Sequence, residues 1–288
     1  MDKLFGGIEF GGTKTICAVG RENGDLVVHE TIPTTSVEET LRAVCGFFAR
    51  QSPVTALGVG SFGPLDINEQ SLEYGSIRNS PKEGWTNVAL NALLTTHFDI
   101  PIKFDLDVNC AALGELHFGA GKNVDSFVYI TLGTGIGGSL IINRRLEHGI
   151  MNLEMGHMRI PYEFLDGFEG ACKFHGACLE GIASGHAMEQ HYGQKPEDIK
   201  SQDIWSAEAN YIALALNNII MTIGPEKIIL GGGLIRHEEL IEQIRSKLSF
   251  TINGYLQVPD LDDYVVKSTG DTNGVLGAIK LVASANRE

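Results

Sequence analysis

The sequence predicts an α/β protein made of two related domains that face each other across a cleft. The pattern of strand, glycine-rich turn, strand, turn and strand occurs twice, with the two copies about 120 residues apart. Segments with helical periodicity follow each copy, which favours helices packed on mixed sheets. At 288 residues, with 43% hydrophobic and 20% charged residues, the chain is long enough to build two such domains.

In the first copy, short apolar runs bounded by Gly, Asn and Asp predict strands, and apolar residues at helical spacing predict helices. The strands are predicted at 4–8, 13–19, 26–31, 56–61 and 102–104, and the helices at 37–51, at 88–98 and from Asn109 to about residue 118.

The second copy follows the same rules. Its strands are predicted at 126–132, at 136–142, near Leu146 and at 227–230, and the helices at 208–222, 237–248 and 274–283. We expect the last helix to pack back on the first domain. The first domain is therefore predicted to comprise residues 1–118 plus about 272–288, and the second residues 119–271.

The net charge, the apolar segments and the number of cysteines limit the possible partners and the cellular compartment. The net charge of −14 disfavours nucleic acid or an anionic membrane as the main partner. The apolar run at 212–223 is interrupted by Asn217 and Asn218, which indicates a core helix and no membrane span. The chain opens without a basic and then apolar leader, and an odd number of cysteines favours free thiols. We therefore expect a cytoplasmic protein.

The segment 154–180 combines metal-binding residue types at short spacing. Cys172, His175 and Cys178 follow a C-x₂-H-x₂-C pattern, and His157 lies upstream. Two thiolates and two imidazoles form the tetrahedral set that zinc favours in structural sites. The alternative is a group of buried thiols with a surface histidine. Glu154 and Glu180 flank the segment, so a metal would fix both carboxylates in a polar pocket suited to a ligand with many hydroxyls.

Two glycine turns predict phosphate binding by backbone amides. The first turn carries Gly11, Gly12, Thr13 and Lys14, and the second carries Gly133, Thr134 and Gly135. Paired in duplicated domains, such turns can hold one polyphosphate from both sides, although either one alone is also an ordinary hairpin turn. The chain has no Walker A loop and no Rossmann fingerprint. A third turn, formed by Gly231, Gly232 and Gly233, fits the approach of an adenosine, and a simple tight turn is the alternative.

A catalytic carboxylate is predicted just after the strand at 102–104. Asp105 and Asp107 both follow this strand, where catalytic groups of open α/β sheets commonly lie. Phosphoryl transfer to an alcohol needs one carboxylate to accept the hydroxyl proton. Either aspartate could instead cap the next helix, but Asn109 can serve as that cap. We therefore expect Asp107 to be the base.

These motifs together resemble the ROK sugar kinases (repressor, open reading frame, kinase), which belong to the actin-like, ribonuclease-H-like ATPase superfamily. The resemblance covers nearly the whole chain and includes EFGGTK, GSFGPLD, DLDVNCAALGE, TLGTGIGG, EMGH, the cysteine cluster and the triple glycine. The fructokinase branch is most similar, because His175 stands where other branches have a third cysteine, and Glu9 where others have aspartate.

The resemblance implies two actin-like domains, Asp107 as catalytic base, structural Zn²⁺ on the four cluster residues, and ATP with Mg²⁺ as co-substrate. It also implies a homodimer. The residues expected to bind the sugar are Glu154, His157, Glu180 and Asn79. Members that phosphorylate glucose or hexosamines have Asn before the catalytic aspartate, where it touches the sugar, and Leu106 at this position makes a plain glucokinase less expected. Glu9 in place of aspartate leaves open how Mg²⁺ is held.

We therefore expect ATP-dependent phosphorylation of a hexose, most of all D-fructose at its 6-hydroxyl. Within the same class, the alternatives are a kinase for mannose, glucose or an N-acetylhexosamine. From another class, the alternative is a sugar sensor without turnover, which the presence of Asp107 and both glycine turns disfavours. A chaperone-like or filament-forming protein of this superfamily would have no reason to carry the residues around the metal.

Overall fold

The structure, a computed structural model, describes residues 3–80, 82–149, 152–162 and 167–285. It divides into two compact units, which we call unit 1 (residues 1–122 and 269–288) and unit 2 (residues 123–268). Their elements, in chain order, are β1 (Phe5–Phe10), β2 (Lys14–Gly20), β3 (Leu26–Pro33), α1 (Val37–Ala49), β4 (Leu57–Ser61), β5 (Ser76–Ile77), β6 (Val88–Ala89), α2 (Leu90–Thr95), β7 (Ile102–Leu106), α3 (Asp107–Phe118), β8 (Phe127–Leu132), β9 (Ile136–Ile142), β10 (Arg145–Glu147), α4 (Leu179–Ala183), α5 (Gly185–Tyr192), α6 (Gln202–Ile223), β11 (Lys227–Gly231), α7 (Leu240–Ile252), α8 (Leu261–Tyr264), β12 (Val265–Lys267) and α9 (Asn273–Ala285).

Each unit contains a five-stranded sheet, and the two sheets have the same topology. In unit 1 the strand order is β3-β2-β1-β4-β7, and in unit 2 it is β10-β9-β8-β11-β12. In each sheet the first three strands form an antiparallel meander, and the last two strands continue it in parallel. The predicted fold class, two related α/β units, is confirmed.

Unit 1 is completed by the last helix of the chain. In α9, Val275, Ile279 and Val282 pack against buried residues of the meander, including Phe5 and Ile16. Helix α1 begins at the cap Ser36, whose side chain accepts a hydrogen bond from the Glu39 amide. Leu41, Val44, Phe47 and Phe48 make up the buried face of α1, as the periodicity predicts.

In the core of unit 2, buried residues of α6 and α7 pack with those of the sheet. The 22-residue helix α6 begins six residues before the predicted start and ends at Gly224, whose left-handed backbone terminates the helix. Helix α7 begins at Leu240 and not at residue 237, because residues 234–236 first form a 3₁₀ turn. None of the helices in the described ranges has the length and apolar character needed to cross a bilayer.

Two predictions in unit 1 were wrong in detail. The helix expected at 88–98 is limited to α2, because Val88 and Ala89 pair with β5 instead. Helix α3 begins at Asp107, so Asn109 is not its cap. The Asn109 side chain lies inside the helix and donates a hydrogen bond to Asp105 Oδ1 at 2.6 Å, while Leu106 occupies the cap position with extended backbone.

Candidate active site and metal cluster

Three parallel strands of unit 1 bring acidic residues to one edge of the sheet. The register aligns Glu9 of β1, Gly60 of β4 and Asp105 of β7 in one row across the sheet. Helix α3 starts two residues beyond Asp105, so Asp107 lies just outside the carboxyl end of the sheet, where the sequence predicts it. This is the usual position of catalytic groups in open α/β sheets.

The two aspartates have different environments. Asp105 is only 3% exposed, and its Oδ1 accepts hydrogen bonds from the Leu106 amide at 2.8 Å and from the Asn109 side chain. Asp107 is half-buried at the first position of α3, where its Oδ1 accepts a hydrogen bond from the Val108 amide at 2.8 Å. Of the two carboxylates, that of Asp107 is therefore more accessible to a substrate.

Glu9 is an additional member of this site. Desolvation raises the pKa of Glu9 to about 8, the charges of Asp107 and Asp271 act in the same direction, and Lys14 opposes them. The backbone of Val275, at the start of α9, donates a hydrogen bond to this carboxyl group. Its Oε2 is buried without a hydrogen-bond partner among the described residues. An oxygen left in this state is a suitable donor for a cation.

The two glycine turns differ in their contacts. In the first, the Gly11 amide donates to Lys14 O at 2.9 Å, and Gly12, Thr13 and Lys14 are exposed. In the second, the Gly133 amide donates to Gly135 O at 3.0 Å, and only Thr134 is exposed.

The start of α5 holds the second turn. The Gly185 amide donates to Gly133 O at 2.8 Å, and the His186 amide donates to Thr134 O at 3.2 Å.

The structure brings the four predicted metal ligands together. Their ligand atoms all lie within 4.8 Å of one another. The His157 Nδ1 is 3.5 Å from Cys178 Sγ and 3.7 Å from Cys172 Sγ, which is 3.6 Å from His175 Nδ1. A tetrahedral zinc with ordinary Zn–S and Zn–N bonds requires S···N separations of about 3.6 Å. The donor set therefore fits zinc in both chemistry and spacing.

Without a metal, the buried Cys178 favours its protonated thiol form. Burial and the neighbouring Cys172 thiol raise the pKa of Cys178 to about 11. A divalent ion reverses this preference, because it stabilises the thiolate form. Part of the predicted loop, residues 163–166, lies outside the described residues.

The predicted sugar ligands of unit 2 lie beside this cluster. Glu180 Oε1 is 4.0 Å from His157 Nε2. Desolvation raises the pKa of Glu154, Glu180 acts in the same direction, and His157 opposes the shift. The turn at 155–157 packs closely on β9, where a side chain at Gly156 would overlap Ile136 O. Glu154, His157 and Glu180 thus form one polar group.

The remaining predicted residues are placed as follows. Asn79 is exposed in unit 1, two residues after the end of β5. Gly231 ends β11 opposite Thr131 of β8, and Gly232 has a φ of 90°, where an added side chain would overlap the Leu132 backbone. The triple glycine therefore lies next to the strand that leads into the second turn.

The family model for the ROK family matches residues 5–285. The chain belongs to the ROK family. Among curated relatives, a fructokinase of Pediococcus pentosaceus is 40% identical, with 98% of each chain covered. A fructokinase of Streptococcus mutans is 39% identical, over 95% of this chain and 94% of the relative.

Among solved structures, this ROK chain is similar to a ROK family glucokinase of Streptomyces griseus, solved in complex with glucose and AMPPNP. The TM-score is 0.79 at 26% identity, with 96% of this chain and 98% of the other covered.

Two contacts of the site are not predicted by the sequence patterns. The contact of Glu9 with the start of α9 joins residues far apart in the chain, and the bond between Glu180 and the second turn depends on the same kind of long-range packing. The glycine at position 274 was the available signal for the first contact, because any side chain there would overlap the Glu9 carboxyl group.

Proposed function

We propose that this protein is a hexose kinase that transfers the γ-phosphoryl group of ATP to the 6-hydroxyl of D-fructose. The observation that carries the proposal is the half-buried carboxylate of Asp107 at the end of the parallel strands of unit 1. Phosphoryl transfer needs a group that orients the hydroxyl and takes its proton, and Asp107 has the necessary access. Fructose is supported by full-length fructokinase relatives at 39–40% identity.

In this mechanism, Asp107 accepts the proton of the attacking hydroxyl as the oxygen reaches the γ-phosphorus. Glu154, His157, Glu180 and Asn79 are assigned to the sugar hydroxyls. The amides of both glycine turns stabilise the charge of the phosphate oxygens, and the triple glycine at 231–233 accommodates the adenosine. Exclusion of water when sugar binds would limit wasteful hydrolysis of ATP.

Mg²⁺ supplies charge neutralisation to the polyphosphate. It prefers oxygen ligands and keeps several of its waters, so Glu9 can hold it directly or through water. The carboxyl oxygen of Glu9 that lacks a partner among the described residues supports this assignment. Zinc on His157, Cys172, His175 and Cys178 would have no chemical role and would fix the segment that carries the sugar ligands.

The preference for fructose is assigned partly to Leu106. Its side chain is only 6% exposed and packs near Gly63, so it offers no polar group to a sugar. We place the reaction in the cytoplasm, because the three cysteines outside the cluster, Cys17, Cys45 and Cys110, are free thiols, which fit a reducing compartment. A homodimer remains a prediction, and light scattering at assay concentrations tests it.

The test is to identify the product. Incubation with MgATP and fructose should yield fructose 6-phosphate, which phosphorus and carbon NMR distinguish from the 1-phosphate. The Leu106→Asn variant should gain activity on glucose relative to fructose. A 1-phosphate product, or no product with ADP release at the rate of sugar-free controls, would contradict the proposal.

A further inference from the structure

Glu180 contacts two different parts of unit 2. Its Oε2 accepts a hydrogen bond from the Ile136 amide at 2.9 Å, at the end of the second glycine turn. Its Oε1 faces His157 Nε2 at 4.0 Å. The approach to the turn is close, because a methyl group added at Gly135 would lie 2.7 Å from Oε2. One carboxylate thus lies between the metal cluster and the predicted phosphate-binding turn.

The His157 ring extends this connection to the cluster. Its Nδ1 faces the two cysteine sulfurs, while its Nε2 faces Glu180. A histidine that binds a metal through one nitrogen is commonly oriented by a carboxylate at the other. The groups therefore form a series from the cluster through His157 to Glu180, whose Oε1 lies 4.0 Å from the ring, and on to the Ile136 amide, which donates a hydrogen bond to Glu180.

The backbone strengthens this link. Cys178 is the cap of α4, and Glu180 is the second residue of that helix. The Leu179 amide between them donates to Met158 O at 2.9 Å, which ties the start of α4 to the residue after His157. A displacement of the cysteine ligands would therefore displace Glu180 as well.

The rest of the second turn does not depend on Glu180. The amides of Gly185 and His186 hold Gly133 and Thr134 from the start of α5. Loss of the Glu180 carboxylate should therefore loosen the Gly135–Ile136 side of the turn without unfolding unit 2.

We propose that Glu180 is a positioning residue of the second glycine turn and that it makes nucleotide binding depend on the metal cluster. The inference rests on the proposed function, because the turn is assigned to the phosphates of ATP. In the proposed function, Glu180 contacts the sugar. Here it also affects the affinity for nucleotide, and this effect should be present without any sugar. The Ile136 amide already donates its hydrogen bond to Glu180. The phosphates of ATP would therefore bind the other amides of the turn.

The experiment compares the native protein with Glu180→Ala, Glu180→Gln and Glu169→Ala, each with its metal and after chelation. Glu169 is an exposed glutamate of the same loop, so its removal changes the charge equally without touching the turn. The affinity for AMPPNP with Mg²⁺ is measured by calorimetry in the absence of sugar. Hydrogen exchange of the 133–138 amides is followed in parallel.

The Glu180→Ala variant should bind AMPPNP about tenfold more weakly, the effect of losing a hydrogen bond to a charged group. Glu180→Gln should recover most of the affinity, because its amide oxygen can still accept from Ile136. Chelation should weaken AMPPNP binding and speed exchange at 133–138 in the native protein, with little further effect in Glu180→Ala.

The proposal is overturned if Glu180→Ala and Glu169→Ala bind AMPPNP equally, or if chelation weakens both to the same degree. If Glu180→Ala does not fold, slow and unchanged exchange at 133–138 after chelation of the native protein would overturn it as well. Failure of the proposed function would show differently, as absent fructose turnover while the effects of Glu180 on AMPPNP binding persist.

Discussion

Each unit has its own five-stranded sheet of the same topology, but the glycine turns of the two sheets differ in exposure. In unit 1, the turn between β1 and β2 exposes Gly12, Thr13 and Lys14. In unit 2, the turn between β8 and β9 is held by Glu180 and by the start of α5. The same strand pairing therefore supports one exposed turn and one turn fixed by a neighbouring loop.

The two copies of the duplicated fold also carry different functional side chains. Unit 1 supplies the acidic edge of the sheet, where Glu9 and Asp107 lie. Unit 2 supplies the Cys/His cluster and the polar group around it. Duplication provides two sets of backbone amides, and the side chains around each set differ between the units.

The largest effect should come from the acidic edge. Asp107→Asn should lower kcat by about 10²–10⁴-fold, the range for loss of a general base, with fructose affinity nearly unchanged. Asp105→Asn is the comparison, because the buried Asp105 supports Leu106 and Asn109 and its loss should mainly lower Tm. Steady-state kinetics and calorimetry distinguish the two variants. Retained turnover in Asp107→Asn would remove Asp107 from the role of base.

The metal cluster provides the next contrast between the units. Zinc is predicted at this cluster, so Cys172→Ser should lower the zinc content and speed hydrogen exchange at 154–162 and 167–180, while exchange in α3 and α9 of unit 1 stays slow. Elemental analysis measures the metal, and exchange mass spectrometry locates the change. Unchanged zinc content in the variant would contradict the assignment of the cluster.

The glycines test the turns directly. Gly135→Ala places a methyl group 2.7 Å from Glu180 Oε2, whereas a methyl group at Gly12 meets no atom within 4 Å. We therefore expect Gly135→Ala to lower Tm and weaken AMPPNP binding, and Gly12→Ala to leave Tm unchanged. If Gly12→Ala still weakens AMPPNP binding, the exposed turn approaches the phosphates closely. Equal Tm losses in both variants would contradict the claim that Gly135 is closely packed and Gly12 is not.

The smallest effects should come from one buried glutamate in α3 and one in α6. Glu115 of α3 accepts hydrogen bonds from Ala120, Thr269 and Asn273, so Glu115→Gln should destabilise the protein. Burial raises the pKa of Glu208 in α6 well above its ordinary value, and its Oε1 lacks a partner among the described residues.

The sign of the pH effect follows from this shift. Above about pH 4.5 the unfolded state releases the proton of Glu208 while the folded state keeps it, so stability falls as pH rises. Glu208→Gln removes this dependence and should match the native Tm near pH 5 but exceed it by a few degrees near pH 8. Parallel Tm curves for the two proteins across this range would contradict the expectation.

Local patterns predicted much of this structure. The alternation of strands and turns indicated both sheets, and the spacing of Cys172, His175 and Cys178 indicated the cluster, because each depends on residues close in sequence. The start of α3 was missed, since Asn109 is a common cap residue and only the three-dimensional position of Asp105 draws its side chain inward. The bond from Ile136 to Glu180 could not be predicted, because it spans 44 residues and depends on how α4 packs.

The most direct test of the central claim is ADP release measured side by side with fructose, mannose, glucose and N-acetylhexosamines. We predict the highest kcat/KM for fructose, and turnover that requires MgATP. A higher kcat/KM for another hexose would keep the mechanism and contradict the assigned sugar. Binding of fructose without ADP release from MgATP would contradict the kinase assignment and identify the protein as a sugar sensor.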